Sequence, residues 1–117
     1  MSRRRRVLVV EDEALVAILL QDLLSDLDCD VAAVASTSTE ALALARTCEA
    51  DFALLDVNLG GGSTSFAAAD ALLARGLPFA FVTGYGADGV RADLRHLPVV
   101  PKPIGAGELA KVLGVGG

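Results

Sequence analysis

The stretch DFALLDVNLGGG, residues 51–62, joins the pattern of a buried strand to an acidic end. Residues 52–55 form a continuous apolar run, which is typical of a strand covered on both faces. The run ends at the carboxylate of Asp56, and three glycines follow at 60–62. A carboxylate in this position either caps a helix or serves chemistry at the edge of a sheet.

The whole chain alternates short apolar runs with helical patterns. Apolar runs predict strands at 6–10, 30–35, 51–56, 78–83 and 98–100. Helical spacing predicts helices at 13–27, 37–48, 65–75, 89–94 and 107–113, the fourth of them short and weak. Thr37 opens the second helix with a capping box, and Gly76 ends the third. Alternating strands and helices predict an α/β fold, a doubly wound five-stranded parallel sheet with helices on both faces.

Composition indicates one domain with an aliphatic core. The chain has 117 residues, 53% of them hydrophobic, with four Phe, one Tyr and no Trp. Cys29 and Cys48 are expected as reduced thiols of a cytoplasmic protein. No apolar run approaches the ~18 residues of a membrane span, so membrane insertion is not expected. The single domain covers 1–117, with a basic lead-in at 1–5 and a frayed end at 114–117.

The charge distribution argues against nucleic acid as a direct partner. The net charge is −5, and Arg3–Arg6 form the one basic cluster. Such a cluster can contact nucleic acid or lipid, or it can be a solvated segment that leads into the first strand. The second interpretation is preferred because no basic stripe continues the cluster elsewhere in the sequence.

Polar residues end four of the five predicted strands. They are Glu11 and Asp12 after the first strand, Asp56 at the third, Thr83 at the fourth and Lys102 after the fifth. The carboxyl ends of parallel strands share one edge of the sheet, so these side chains are expected to meet in one crevice. Taken singly, Asp12 or Glu13 can be a helix cap, and Lys102 can be a surface residue. Because all of these side chains are expected at the same edge of the sheet, a functional site is the preferred interpretation.

The residue types of this set suit phosphoryl transfer. Clustered carboxylates repel one another unless a cation lies between them, and Mg²⁺ accepts hard oxygen ligands together with phosphoryl oxygens. A carboxylate can act as a nucleophile and form an aspartyl phosphate. Lys102 and Thr83 offer a positive charge and a hydroxyl to phosphoryl oxygens, and backbone N–H groups in NLGG and TGYG add donors.

The motifs VVEDE, LLDVNL, VTG and PKP have the order and spacing of the receiver (CheY-like) domain of two-component response regulators. The chain resembles this family over essentially its whole length. The resemblance implies a flavodoxin-like strand order 2-1-3-4-5 and a cytoplasmic bacterial phosphoprotein that acts in signal transduction. It implies a sensor histidine kinase or a histidine phosphotransfer protein as the phosphorelay donor, and an unidentified downstream protein partner. The domain would be a switch that catalyses only its own phosphorylation and dephosphorylation.

The same resemblance assigns roles to individual positions. Asp56 is implied as the phosphoacceptor. The implied Mg²⁺ ligands are Glu11, Asp12, Asp56 and the backbone carbonyl of Asn58. The implied phosphate-binding and switch groups are Thr83, Lys102 and the backbone N–H of Gly84. The Lys102–Pro103 peptide bond is implied to be cis.

Two departures from the common receiver pattern concern switching. Leu59 and Gly60 stand where most receivers carry Met-Pro, and Val99 stands where they carry a switch aromatic.

FVTGYG, residues 81–86, resembles the "FAT GUY" subgroup of single-domain receivers. We therefore hypothesise that Tyr85 acts as the switch aromatic, the alternative being a solvated loop residue. We expect Gly89–Leu94 to be the moving part and the output surface to involve strands four and five and the last helix.

Two other functions remain to be separated from this one. A haloacid-dehalogenase-type phosphatase also uses an aspartyl nucleophile and Mg²⁺, but it needs an acid where this chain has Asn58. A degenerate receiver would act as a phosphorylation-independent binding module. Incubation with a small phosphodonor distinguishes a single uptake, continued turnover and no reaction.

Overall fold

The structure is a computed structural model that describes residues 4–114, Ala87 by its backbone alone. Residues 1–3 of the predicted lead-in 1–5 and residues 115–117 of the predicted frayed end 114–117 lie outside the described residues. Five strands form one sheet: β1 Arg5–Val10, β2 Cys29–Ala35, β3 Phe52–Asp56, β4 Phe79–Thr83 and β5 Val99–Pro101. All neighbouring strands are parallel, and their order is β2-β1-β3-β4-β5, as predicted.

Four α-helices lie in the described part of the chain. They are α1 Ala14–Asp26, α2 Ser38–Thr47, α3 Phe66–Arg75 and α4 Ala106–Leu113. Two hydrophobic clusters show that helices cover both faces of the sheet. Leu8 and Leu55 of the strands pack with α2 and α3 on one face, while Val9 and Leu54 pack with α1 and α4 on the other. The doubly wound fold is therefore confirmed. No described helix has the length and apolar character to cross a membrane.

The helix termini follow the predicted chemistry at α2 and α3 but not at α1. Thr37 is the N-cap of α2, and its hydroxyl oxygen accepts the Glu40 N–H at 3.1 Å. Gly76 ends α3 in the left-handed conformation, with φ 70°. The N-cap of α1 is Glu13, whose side chain makes no capping bond. Of the two candidate caps, Glu13 therefore holds the N-cap position without a capping side chain, and a Glu11 carboxylate oxygen accepts the Glu13 N–H at 3.0 Å instead.

The weak helix predicted at 89–94 is absent from the described structure. Two short 3₁₀ segments replace it, Gly86–Gly89 and Ala92–Leu94, so the expected five α-helices become four. Gly86 has φ 65° and Gly89 follows closely, so the chain between β4 and β5 has poor intrinsic helix propensity. Single tight turns satisfy a few backbone groups here without a regular α-helix.

Arg4 and Arg5 at the start of the described chain make structural contacts. β1 begins at Arg5, one residue earlier than predicted, so the lead-in ends at Arg4. The Arg4 side chain pairs with Asp30 at 2.9 Å. The Arg5 guanidinium donates to the carbonyl of Leu113 at the end of α4. A positive charge at a helix C-terminus is stabilising, so Arg5 anchors the last helix to the sheet.

Candidate functional site

The carboxyl ends of β1, β3, β4 and β5 open into one cleft of about 530 Å³. The residues that line it are Asp12, Glu13, Asp56, Asn58, Gly60, Thr83, Gly84, Tyr85 and Lys102. The structure thus brings together side chains that are far apart in sequence. Glu11 lies beneath this lining, only 1% exposed. Glu13 was predicted only as a possible helix cap and Gly60 only as one of the NLGG backbone donors, because their places in the cleft depend on loop geometry rather than on strand ends.

Backbone contacts between strands fix the positions of two site residues. The Glu11 N–H donates to the carbonyl of Ala35 at 2.9 Å, which attaches the end of β1 to the end of β2. The Lys102 N–H donates to the carbonyl of Thr83 at 3.1 Å, which ties the residue after β5 to the end of β4. The sheet itself therefore sets the relative height of these side chains along the cleft.

Three carboxylates converge at the base of the cleft. Glu11, Asp12 and Asp56 each place a carboxylate oxygen within 4.8 Å of the others. Asp56 is 6% exposed, whereas Asp12 is exposed to solvent. Like charges at such separations raise one another's free energy, and a cation between them removes that penalty.

Lys102 supplies one cation to this group. Its Nζ atom lies 3.2 Å from Glu11 Oε1 and 3.2 Å from Asp56 Oδ2, so one ammonium bridges two buried carboxylates. The Lys102–Pro103 peptide bond directly after it is cis. Three carboxylates against one ammonium leave an excess of negative charge, which favours a second cation in the cleft.

The ionisation of Asp56 reflects this environment. Burial, reinforced by the neighbouring charge of Glu11, raises the pKa of Asp56 to about 7, while Lys102 opposes the rise. Burial by itself lowers the pKa of Lys102, but the charges of Asp56 and Glu11 outweigh it and the net shift is upward. Lys102 thus stays protonated near neutral pH, and Asp56 lies close to its titration midpoint there.

Glu11 retains an unsatisfied oxygen. Its Oε2 atom accepts the Glu13 N–H, but its buried Oε1 atom accepts no hydrogen bond among residues 4–114. The Lys102 ammonium 3.2 Å away supplies charge without a well-aligned hydrogen bond. A buried carboxylate oxygen in this state has acceptor capacity left for water or a cation.

Thr83 connects the cleft to the loop that follows β4. The Thr83 side chain is buried, and its Oγ1 atom accepts the backbone N–H of Tyr85 at 3.1 Å. The Tyr85 side chain lines the cleft but is 75% exposed. Gly89 lies close above the pair, since a Cβ added there would be 3.4 Å from Thr83 Oγ1 and from Tyr85 Cβ. The hydroxyl and the loop are therefore in direct contact.

Part of the expected moving segment, Gly89–Leu94, packs into the core in this structure. Val90 and Leu94 are each 2% exposed and belong to the core on the α2/α3 face. The Arg91 guanidinium pairs with Asp70 of α3 at 2.6 Å and lies 5.8 Å above the ring of Phe66. The stretch 84–89 contacts Thr83 immediately before this anchor, and its residues other than Ala87, whose side chain is not described, are exposed or half-buried.

Comparison with known proteins identifies the family. The family model of the response regulator receiver domain matches residues 7–113. The chain belongs to this family, whose members are signalling domains rather than classical enzymes. A comparison with curated proteins gives no significant match.

Solved structures support the same assignment. The solution structure of SdrG from Sphingomonas melonis Fr1 is 42% identical, with 97% of each chain covered and a TM-score of 0.85. The BeF₃-activated conformation of SdrG from Pseudomonas melonis Fr1 has the same identity and coverage and a TM-score of 0.80. The receiver domain of PhyR from Erythrobacter litoralis is 29% identical over 95% of this chain and 91% of its own, with a TM-score of 0.79.

Proposed function

We propose that this receiver domain accepts a phosphoryl group on Asp56 in a Mg²⁺-dependent reaction and then changes conformation to control a partner protein. The donor is the phosphohistidine of a sensor histidine kinase or of a histidine phosphotransfer protein. The observation that carries the proposal is the position of Asp56. Its carboxylate is buried at the base of an open cleft, 3.2 Å from Lys102 Nζ and beside two further carboxylates.

The donor set of the cleft fits Mg²⁺. Glu11, Asp12 and Asp56 converge within 4.8 Å, Lys102 leaves their charge incompletely balanced, and the buried Oε1 of Glu11 lacks a hydrogen bond among the residues described. Asp12, Asp56 and the backbone carbonyl of Asn58 would hold the ion, with Glu11 acting through water. When bound, the ion neutralises carboxylate charge and accepts a phosphoryl oxygen.

Different groups of the chain have different roles in phosphoryl transfer. A carboxylate oxygen of Asp56 attacks phosphorus, a P–O bond forms, and the P–N bond to the donor histidine breaks with its electron pair left on the nitrogen. Lys102, already beside Asp56, pairs with the transferred oxygens. Thr83 and Gly84 line the same cleft, so the Thr83 hydroxyl and the Gly84 N–H would donate to those oxygens.

The switch follows from the Thr83–Tyr85 contact. In the structure the Thr83 hydroxyl oxygen accepts the Tyr85 N–H. Rotation of this hydroxyl towards a phosphoryl oxygen withdraws that acceptor, and the loop 84–89 loses one of its attachments. Phosphorylation would then shift an equilibrium between two loop arrangements. Tyr85 remains the candidate switch aromatic, because its exposed ring adjoins the cleft and is free to change position.

Two surfaces suit the partners of such a domain. Leu15, Ile18 and Leu19 are exposed on α1 next to the cleft, which fits a docking phosphodonor. A groove between β5 and α4, lined by Val99, Val112 and their neighbours, fits the expected output surface.

SdrG has a BeF₃-activated conformation, which supports a similar activation here. We also propose a place in the "FAT GUY" subgroup and a bacterial cytoplasmic location, from the FVTGYG motif.

Incubation with acetyl phosphate and Mg²⁺ tests this function. We expect the wild type to take up about one phosphate per chain, and Asp56→Asn to take up none. Omission of Mg²⁺ should slow the uptake strongly. Continuous release of phosphate by the wild type would instead indicate a phosphatase. No uptake under conditions in which the protein is folded would leave the phosphorylation-independent binding module.

The Tyr85 hypothesis needs its own measurement. Tyr85→Ala keeps the backbone N–H that donates to Thr83, so it removes only the ring. We expect a changed phosphoryl lifetime or a changed affinity for the downstream partner. Equal lifetime and affinity in the variant and the wild type would show that Tyr85 is a solvated loop residue.

A further inference from the structure

Gly60 lies against the carboxylate of Asp12 at the mouth of the cleft. A Cβ atom added at Gly60 would be 3.2 Å from Asp12 Oδ2, closer than ordinary van der Waals contact. Gly60 also has φ +80°, in the left-handed region that other residues rarely adopt. Two separate constraints therefore select glycine at this position, one from the backbone and one from the neighbouring carboxylate.

The loop that carries Gly60 is held by its own hydrogen bonds. The Leu59 N–H donates to the carbonyl of Ser63, and the Ser63 N–H donates to the carbonyl of Gly60, each at 2.9 Å. Asn58 and Thr64 form an antiparallel bridge at the base of the loop. Leu59 is buried, with 7% exposure. These contacts prevent the backbone at Gly60 from retreating easily, so a side chain there would displace Asp12 instead.

Asp12 is the carboxylate of the cleft that can be displaced. It is exposed, and none of the residues from 4 to 114 forms a hydrogen bond or an ion pair with its side chain. Glu11 and Asp56, by contrast, are both buried and paired with Lys102. Asp12 is thus the site carboxylate that a side chain at position 60 would push aside, and the absence of a side chain at Gly60 leaves room for its Oδ2.

We propose that Gly60 is a positioning residue of the Mg²⁺ site and a determinant of its preference for Mg²⁺ over Ca²⁺. This inference rests on the proposed function. Mg²⁺ requires near-ideal octahedral geometry at about 2.0–2.1 Å, whereas Ca²⁺ tolerates irregular geometry at about 2.3–2.6 Å. A displacement of Asp12 by a few tenths of an ångström therefore weakens Mg²⁺ binding more than Ca²⁺ binding.

Gly62 provides a matched control in the same loop. Its φ is +82°, almost the same as that of Gly60, but a Cβ added there meets nothing within 4 Å. Because the two φ angles are nearly equal, Gly60→Ala and Gly62→Ala are expected to introduce similar backbone strain. Only the first places an atom against Asp12, so a difference between the two variants isolates that contact.

The experiment titrates wild type, Gly60→Ala and Gly62→Ala of the full chain with Mg²⁺ and with Ca²⁺ by calorimetry. We expect Gly60→Ala to bind Mg²⁺ about tenfold more weakly, with a smaller loss for Ca²⁺. Gly62→Ala should bind both ions within about twofold of the wild type. Metal-free thermal midpoints should fall by similar amounts in the two variants, because the backbone strain is shared.

Each other outcome contradicts the inference. Equal Mg²⁺ affinities of the two variants would show that the contact with Asp12 has no role, and equal losses for Mg²⁺ and Ca²⁺ would remove the claim of selectivity. If an alanine variant does not fold, Gly60→Asn and Gly62→Asn give the same comparison with less strain, since Asn tolerates positive φ. A wild type that binds no Mg²⁺ would overturn the proposed function itself, which is a separate result.

Discussion

The carboxyl group of Asp56 lies between the Glu11 carboxylate and the Lys102 ammonium group, which shift its pKa in opposite directions. Burial of Asp56 makes the net shift upward. The net effect raises its pKa to about 7, from an ordinary value near 3.8. The folded protein therefore holds a proton on Asp56 at pH values where the unfolded chain has already released it. Stability from this group is fully present below about pH 4 and is lost as the pH rises to about 7.

This linkage gives a testable pH dependence. In the absence of Mg²⁺, Asp56→Asn should be more stable than the wild type at pH 8, by on the order of 1–2 kcal/mol, with a much smaller difference at pH 4.5. Urea unfolding at both pH values measures the effect. Asp22→Asn, which removes an exposed carboxylate of α1, is the control and should show no such pH dependence. Parallel pH profiles of wild type and Asp56→Asn would contradict the raised pKa.

Lys102 should contribute to stability as well as to chemistry. Lys102→Met keeps most of the side-chain volume but leaves Glu11 and Asp56 without their common cation. We expect a loss of about 1–2 kcal/mol at pH 8, less than for a fully buried ion pair because the lysine partly reaches solvent.

The pH dependence of this loss distinguishes charge from packing. The loss should shrink below pH 6, where Asp56 is protonated and less negative charge remains to be balanced. Addition of Mg²⁺ at pH 8 should restore part of the stability. Urea unfolding of wild type and variant at pH 5.5 and pH 8 measures both effects. An equal loss at both pH values would indicate that Lys102 acts through packing alone.

Single residues of the site were predictable to different degrees. Asp56 and Thr83 end strands, so their shared edge follows from the apolar runs before them and from the parallel sheet. Gly60 could not be placed in the same way. Its role depends on a loop whose path is set by Ser63 and by the bridge between Asn58 and Thr64, and neither has a local sequence signal.

At the scale of elements, Arg91 joins the segment after β4 to helix α3. Its guanidinium donates to both carboxylate oxygens of Asp70, at 2.6 and 3.1 Å, and also to Asp93. The same group lies over Phe66, whose ring packs edge-on against Phe81 of β4. The bridge therefore fixes the C-terminal end of the loop 84–89.

Removal of this bridge should loosen the segment without unfolding the domain. Asp70→Asn keeps the size of the side chain but removes its charge. We expect amide hydrogen exchange at residues 90–94 to become about two- to fivefold faster, because exposed ion pairs have small effects. Asp93→Asn is the control, since it leaves the tie to α3 intact. Unchanged exchange in Asp70→Asn would show that Val90 and Leu94 alone hold the segment.

The elements themselves were largely predictable where periodicity and caps agree. Helices α1 to α3 have apolar residues at helical spacing, α2 also has a capping box and α3 a glycine stop, and their bounds differ from prediction by at most one residue. The segment between β4 and β5 was not predictable. Its short 3₁₀ turns lack periodicity, and its position comes from the long-range pair Arg91–Asp70 and from burial of Val90 and Leu94.

At the scale of the whole molecule, the two cores explain how a small chain can be both stable and switchable. Strands β1, β3 and β4 are buried on both faces, and the cleft lies beyond their carboxyl ends, outside either core. A change at Thr83 can therefore alter the loop 84–89 while the packed layers remain intact. The alternation of strands and helices was sufficient to predict this arrangement, but which surface meets a partner depends on exposure, which the sequence does not encode locally.

Ligand binding to the cleft should stabilise the molecule as a whole by mass action. A ligand at one hundred times its dissociation constant adds about 2.7 kcal/mol, which for a chain of this size raises the thermal midpoint by roughly 10 °C. We expect Mg²⁺ together with beryllofluoride, a phosphoryl mimic, to give a shift of this order in the wild type. Mg²⁺ alone should give a smaller shift, because fewer of the cleft's groups are engaged.

Variants test whether the rise in thermal midpoint comes from ligand bound in the cleft. Asp56→Asn should lose the beryllofluoride contribution entirely, since the mimic bonds to the carboxylate. Lys102→Met should retain only a small part of it, because Lys102 Nζ lies 3.2 Å from Asp56 Oδ2, where the mimic would attach. Asp70→Asn, remote from the cleft lining, should keep the full shift. A shift of equal size in Asp56→Asn and the wild type would mean that the ligand binds elsewhere and that Asp56 is not the acceptor.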